Sequence, residues 1–449
     1  MTAPNNSSAS TPGNSVTTDD TSNSNGDNKH GWFRSLGPAI IVASVVLGPG
    51  SIYLSSAIGA EFGYALMWVP LLSTALMICL VMISARLGVV YDRTLLEEVA
   101  HKLGRPIAMF MGLIVFLICT SFQTANNAAI LFAIDPLIEM FTNQPAEEVR
   151  GGWMSMAILI LLNGFILAVL FGFRRLYAPL EKLMIGLVMV MLIGFFINLV
   201  FAQPSVLEIG RGLIPSFPQA GEGQSPLNWT LVLGFFATTV SIAGVFYQSY
   251  LVKEKGWKIQ DVQRGMTDSI LGIAVLGFVS AIIMVTAAAV LHGGVSDIAM
   301  NSAADVARQL EPLFGPAAVI LFSLGLFAGA LSSFMVNAMI GGTLLADGMG
   351  MGGRMDQTST RMFTAGGLLL GMTIALLSGG TAPAEVITLA QALTVLGLPV
   401  LALGMVYLVM QPELTGVYAF PKWMKVVLII GCFVIFLLAI RTANNLFFA

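Results

Sequence analysis

Two short stretches place backbone chemistry where an apolar chain would normally hide it. The first is Gly48-Pro49-Gly50-Ser51, set inside the run VVLGPGSIYLSS. The second is Ala243-Gly244, followed by Phe246, Tyr247, Gln248, Ser249 and Tyr250. Proline has no N–H, and glycine is a poor helix former, so both stretches interrupt a helix. Broken backbone at membrane depth is tolerated only where it is buried in protein or lines a polar cavity. Carbonyls ending one half-helix suit a cation, and N–H groups opening the next suit an anion. A single break is explained equally well by a proline kink or by packing at small residues. Two breaks five spans apart favour a ligand site between discontinuous helices.

The remaining polar residues are neutral. Gln123, Asn126 and Asn127 fall within ICTSFQTANNAAI, where they either bond between helices or line a pathway. Asn163 and Asn337 read as packing contacts. No Asp, Glu, Lys, Arg or His occupies the interior of an apolar run; Glu61, Glu181, Asp268, Asp347 and Glu385 stand at the ends. Buried charges in a membrane are costly and mark function, so their absence removes an obvious proton relay. His30, His101 and His292 are peripheral. No nucleophile–base pair, phosphate loop or His/Cys ligand spacing occurs, which argues against an enzyme and against a cofactor. Cys79, Cys119 and Cys432 read as small buried hydrophobes.

The elements that must hold these residues are membrane helices. Of 449 residues, 56% are hydrophobic and only 10% charged, against roughly 25% charged in a soluble chain. Apolar runs long enough to cross about 30 Å of hydrocarbon fall near 37–60, 65–85, 107–133, 153–173, 183–202, 229–251, 269–291, 316–346, 362–379, 386–410 and 425–440. Eleven spans are therefore expected. With the N-terminus cytoplasmic, seventeen of the 21 Lys and Arg residues fall on the inside, which places the C-terminus outside. Residues 1–31 are Ser/Thr/Asn/Asp-rich and read as a disordered cytoplasmic tail with no signal-peptide pattern. The net charge of −3 gives no basic surface for nucleic acid. The expected partners are the lipid bilayer and a small inorganic ion or small solute.

Residues 37–89, beginning GPAIIVASVVLGPGSIYLSSAIG, resemble the first two spans of the NRAMP (natural resistance-associated macrophage protein) divalent-metal transporters. Leu180-Glu181-Lys182, Asp268-Ser269, LFSLGLFAGALSS (321–333) and Gln391 within LAQALTVLGLP fit the same family. The resemblance covers about residues 35–440. It implies an all-α polytopic fold of the LeuT type, a 5+5 inverted repeat with helices 1 and 6 broken. Repeat one would span about 37–202 and repeat two about 229–410, with an extra helix at 425–440 in a transporter domain of 32–449. The functional motifs depart from the family. Its first-helix signature, Asp-Pro-Gly-Asn, is Gly48-Pro49-Gly50-Ser51 here, so the metal-binding carboxylate is missing. Its sixth-helix Met-Pro-His is matched by Phe246-Tyr247-Gln248, which lacks both the thioether and the histidine. Of the usual ligands, only Gln391 and carbonyls near Val46, Leu47 and Ala243 carry over, which leaves the metal ligands unknown.

Three readings follow. The first is a secondary transporter moving a hard divalent cation such as Mg²⁺ by alternating access, without tight proton coupling. Mg²⁺ fits a neutral site because it prefers oxygen and keeps several waters. The second is transport of a small anion or neutral solute, and the third a non-transporting receptor or sensor. The expected substrate site joins Gly48, Gly50, Ser51, Ala243, Phe246, Tyr247, Gln248 and Gln391, with Gln123, Asn126 and Asn127 as pathway candidates.

Overall fold

The computed structural model describes residues 37–142, 152–216, 229–292, 315–378 and 383–447. The expected tail at 1–31 lies outside them. The described residues contain helices and no strand. The chain opens with α1 (Pro38–Val46) and α2 (Pro49–Phe62), bent by 58° at the intervening Leu47-Gly48. Each begins with proline in its first turn, where the missing N–H costs nothing. Next come α3 (Trp68–Val90), a short α4 (Leu95–Leu103), α5 (Arg105–Thr142), α6 (Trp153–Gly172), α7 (Tyr177–Ala202) and α8 (Val206–Gly212). After these, α9 (Trp229–Thr239) and α10 (Ile242–Glu254) form a second interrupted pair. The remainder are α11 (Val262–Val290), α12 (Pro316–Gly348), α13 (Thr358–Leu377), α14 (Pro383–Val409) and α15 (Lys422–Phe447).

Among the described residues, eight helices are long and apolar enough to cross a membrane, and nine if the bent α1–α2 pair counts as one span. The eleven expected runs also include the α9–α10 pair and α14. The α9–α10 pair is interrupted, and α14 is counted as apolar only over Val395–Val409 among the described residues, although both occupy the expected positions.

The broken helix sits at the centre. Every residue of α1 is buried, and α1 packs on α11, α12, α7 and α10. The periphery is built for lipid: α6 shows Leu161 at 72% and Phe165 at 57% exposure, and α15 shows Phe433 at 63%. In water such a surface would be a large apolar liability; in hydrocarbon it costs nothing. The most extensive helix pairing is α5 with α12. It depends on small residues, since a Cβ built on Gly112 would lie 2.5 Å from the Leu344 carbonyl oxygen.

Polar contacts tie the helix ends and the joints between them. Asp268, fully buried at the start of α11, accepts from Gly37 N–H (2.6 Å) and Ala39 N–H (2.9 Å). It thus caps α1 from another helix, satisfying two of the N–H groups that α1 cannot bond internally. The Tyr250 hydroxyl donates to Asp347 at 2.6 Å and accepts from Leu96 N–H at 3.2 Å. Arg105 donates to the Asp347 carbonyl, Lys255 pairs with Glu181 at 2.7 Å, and Lys102 pairs with Glu413 at 2.5 Å. Beyond the last apolar turn of α10, Glu254 accepts from Met355 N–H at 2.9 Å. Burial holds its carboxyl above the usual range, against the downward pull of that N–H.

Candidate functional site

The first break follows from one missing proton. In an unbroken helix the Val45 carbonyl would accept from residue 49, but Pro49 has no N–H to give. Gly48 caps the N-terminus of α2 at φ −80°, ψ 177°, an extended conformation open to any residue. Ser51 turns back on the break: its hydroxyl contacts the Val46 carbonyl at 2.7 Å and the Gly48 carbonyl at 3.0 Å. The N–H groups of Ser51 and Ile52 both go to the Gly48 carbonyl. The start of α2 is therefore largely spent as a source of N–H donors for an anion.

A cavity of about 40 Å³ opens at this break, lined by Val45, Val46, Gly48, Pro49, Gly50 and Ser51. Its other walls are Phe122, Ala125 and Asn126 from α5, Thr238 and Ser241 at the second break, and Ser333 and Asn337 from α12. Ser333 is its hub. The hydroxyl accepts from the Asn337 side-chain amide at 3.0 Å and from that of Asn126 at 3.4 Å. A Cβ built on Gly48 would lie 2.7 Å from that hydroxyl oxygen and 3.0 Å from the Ser333 Cβ. The backbone does not require glycine here; the close approach of Ser333 does. Nearby, Ser332 of α12 donates to the Ser44 carbonyl of α1 at 2.9 Å.

The second break lies upstream of its expected place. Helix α9 ends at Thr239 and α10 starts at Ile242, with Ser241 as N-cap accepting from Gly244 N–H at 3.3 Å. Ala243 and Gly244 are already helical. A Cβ on Gly244 would stand 3.3 Å from Val42 of α1, so this glycine serves packing between the half-helices. Serine's capping preference, rather than the Ala-Gly pair, sets the boundary.

Of the expected site residues, the structure brings together Gly48, Gly50, Ser51 and Asn126. Ala243 is one residue inside α10 and is absent from the cavity lining. Phe246, Tyr247 and Gln248 lie more than a turn beyond the break, fully buried, and do not line the cavity either. The Gln248 carboxamide has no hydrogen-bond partner among the described residues. Gln391 lies on α14, and its side chain is outside the described residues. Gln123 and Asn127 take the interhelical role. Gln123 donates to the Phe334 carbonyl at 2.6 Å, and Asn127 bridges the Gln123 carbonyl and Asn163, each at 2.8 Å. Asn337, expected as a packing residue, faces the cavity. Thr238, Ser241 and Ser333 were not singled out in the sequence. The one available signal was the i, i+4 pair Ser333/Asn337 on an otherwise apolar helix. Among the described residues no group of three or more His, Cys, Asp or Glu could hold a metal ion.

The family profile "Natural resistance-associated macrophage protein-like" matches residues 39–444. The chain belongs to the Nramp family. It is 30% identical over 312 residues to the divalent metal cation transporter MntH of Yersinia pestis (strain Pestoides F), covering 68% of this chain and 71% of that one. It is 25% identical over 400 residues to MntH of Klebsiella pneumoniae (strain 342), covering 87% of this chain and 89% of that one. In three dimensions it is similar to the manganese transporter of Eremococcus coleocola, with a TM-score of 0.77 at 18% identity over 94% of this chain and 88% of that one. The fold is thus shared with that transporter at 18% identity. Membership also agrees with the absence of enzyme motifs.

Proposed function

We propose that this Nramp protein is a multi-pass secondary transporter that moves a hard divalent metal ion by alternating access. The observation that carries the reading is the cavity at the α1–α2 break, where a proline frees a carbonyl beside neutral amides and hydroxyls. Oxygen dipoles without a carboxylate suit an ion that keeps part of its water, as Mg²⁺ does. They offer no thioether to favour a transition metal. Among the described residues the cavity lining holds no Asp, Glu or His, in keeping with transport that is not tightly coupled to protons.

In this reading the eight straight spans, the α1–α2 pair, the α9–α10 pair and α14 make eleven. The first ten form two inverted repeats, each opening with a broken helix. The N-terminus is cytoplasmic and the C-terminus outside. Contacts between helix ends support this alternation. Arg361 meets the Phe173 and Arg174 carbonyls, and Arg86 the Val417 and Ala419 carbonyls, all in segments assigned inside. Trp68 meets the Ser216 carbonyl, and His292 the Ala60 carbonyl, in segments assigned outside.

The test is flux into proteoliposomes with Mg²⁺, Mn²⁺ and Ca²⁺ while internal pH is tracked. Cation uptake without matched acidification is expected. Absence of both flux and calorimetric binding for all three ions overturns the proposal.

A further inference from the structure

Within that transport reading, on which this step rests, we infer that the carboxamide oxygens of Asn126 and Asn337 are direct ligands of the cation, taking the place of the missing first-helix carboxylate. Both side chains line the cavity and both residues are buried, at 1% and 6% exposure. Each points its NH₂ group at the same acceptor, the Ser333 hydroxyl. An amide whose nitrogen is committed in this way presents its oxygen elsewhere. Neither oxygen accepts a hydrogen bond among the described residues, and neither is among the sealed, unpartnered atoms of the interior. Each oxygen is thus available to an ion in the cavity that both residues line.

Val45, whose carbonyl Pro49 leaves without a helical donor, lines the same cavity. Residues of α1, α5 and α12 that line one cavity thus each offer a neutral acceptor oxygen. That polarity discriminates between substrates. An anion needs donors, but the start of α2 offers few: Pro49 has none, and Ser51 and Ile52 have spent theirs on Gly48. A cavity of about 40 Å³ exceeds the ~10–15 Å³ one water needs, leaving room for an ion with water attached. Ser333 orients both amides, and its hydroxyl fills the space a side chain at position 48 would need. The carboxylate has not simply been lost: a hydroxyl and two amides from other helices fill its place.

The experiment uses the full-length protein, purified and reconstituted, with Mg²⁺ and Mn²⁺ as probes. Calorimetric Kd values are measured from pH 5.5 to 8 alongside flux. Wild-type affinity is expected to be flat across this range. Asn126→Ala and Asn337→Ala should each weaken binding tenfold or more, while Asn163→Ala, removing a buried amide outside the cavity, leaves Kd unchanged. Asn126→Asp and Asn337→Asp should tighten binding tenfold or more and make it weaken as pH falls, since protonation cancels the new charge. Ser333→Ala should lower affinity for both ions without introducing pH dependence.

The aspartate variants keep the inference falsifiable if an alanine variant fails to fold. If wild type binds and transports while the alanine variants match it, or if the aspartates bind no better, the ligand assignment is overturned and the transport reading stands. If wild type neither binds nor moves either ion, the transport reading fails first and takes this assignment with it.

Discussion

Adding one methyl group at Gly48 is a severe test of how the broken helix is packed. At φ −80°, ψ 177°, alanine adopts this backbone freely, so Gly48→Ala carries no conformational penalty. Its whole cost comes from Ser333. The new Cβ would lie 2.7 Å from the hydroxyl oxygen and 3.0 Å from the Cβ of Ser333, where ordinary contact begins near 3.4 Å. Rotating the hydroxyl away relieves the first clash but not the second, because the Ser333 Cβ is fixed by the α12 backbone. Rotation also abandons the bonds from Asn337 and Asn126, worth about 1 kcal/mol each. With overpacking at ~1–3 kcal/mol on top of those two bonds, Gly48→Ala should cost about 3–5 kcal/mol. Ser333→Gly removes both clashing atoms at the price of those same two bonds and ~1 kcal/mol of helix propensity. In the double variant the methyl group fits, so the two costs are not additive, with coupling of about 1–3 kcal/mol. Equilibrium unfolding in mixed micelles, followed by tryptophan fluorescence, measures all four corners of this cycle. Strict additivity, or a Gly48→Ala protein within 0.5 kcal/mol of wild type, would refute the packing account.

Four further outcomes are expected. Asp268→Asn halves the acceptor capacity at the head of α1 and removes its charge, so amide exchange near Gly37 and Ala39 should speed up and stability fall by about 1.5–3 kcal/mol; unchanged exchange would show that α1 is held some other way. Tyr250→Phe strips the buried Asp347 carboxylate of its 2.6 Å donor and should cost a similar amount, read as a lower unfolding midpoint, with Phe246→Leu as a packing control. Pro49→Ala restores an N–H opposite the Val45 carbonyl; cation binding should weaken while the fold persists, and unchanged Kd would show that this carbonyl plays no part. Glu254 has a raised folded pKa, so its ionised form is disfavoured by folding and its contribution to stability declines as pH rises through that pKa. Glu254→Gln should therefore stabilise the protein at neutral pH, with the advantage vanishing in acid; a pH-independent difference would contradict the burial argument.

The sequence carried the fold further than the site. Long apolar runs with polar joints are hard to mistake, because hydrocarbon leaves the backbone few other solutions. The first break was equally legible, since Pro49 between two glycines ends a helix by covalent structure alone. The second was misplaced because glycine plays two roles: Gly244 looked like a breaker but is a contact residue under Val42. The actual boundary is set by Ser241, one hydroxyl among many. Ser333 stayed hidden for a related reason. In LFSLGLFAGALSS it reads as one more small residue allowing helices to approach, and only the approach of Gly48 from another helix shows what it borders. The same limit separated Asn126 from Gln123 and Asn127. All three lie on one helix, and which of them meets the cavity depends on rotation and neighbours that spacing does not fix.

The grip of Asp268 on α1 has a consequence of its own. It holds Gly37 and Ala39 by main-chain N–H groups, which every residue except proline possesses. The half-helix can therefore exchange its side chains over evolutionary time without losing its anchorage. On the transport reading, the choice of cargo falls to groups beyond the other end of α1, around Gly48 and Ser51 and on α5 and α12. The anchorage of α1 and the lining of the cavity thus rest on different groups. A substitution in the cavity lining can therefore leave the hold of Asp268 on α1 as it was.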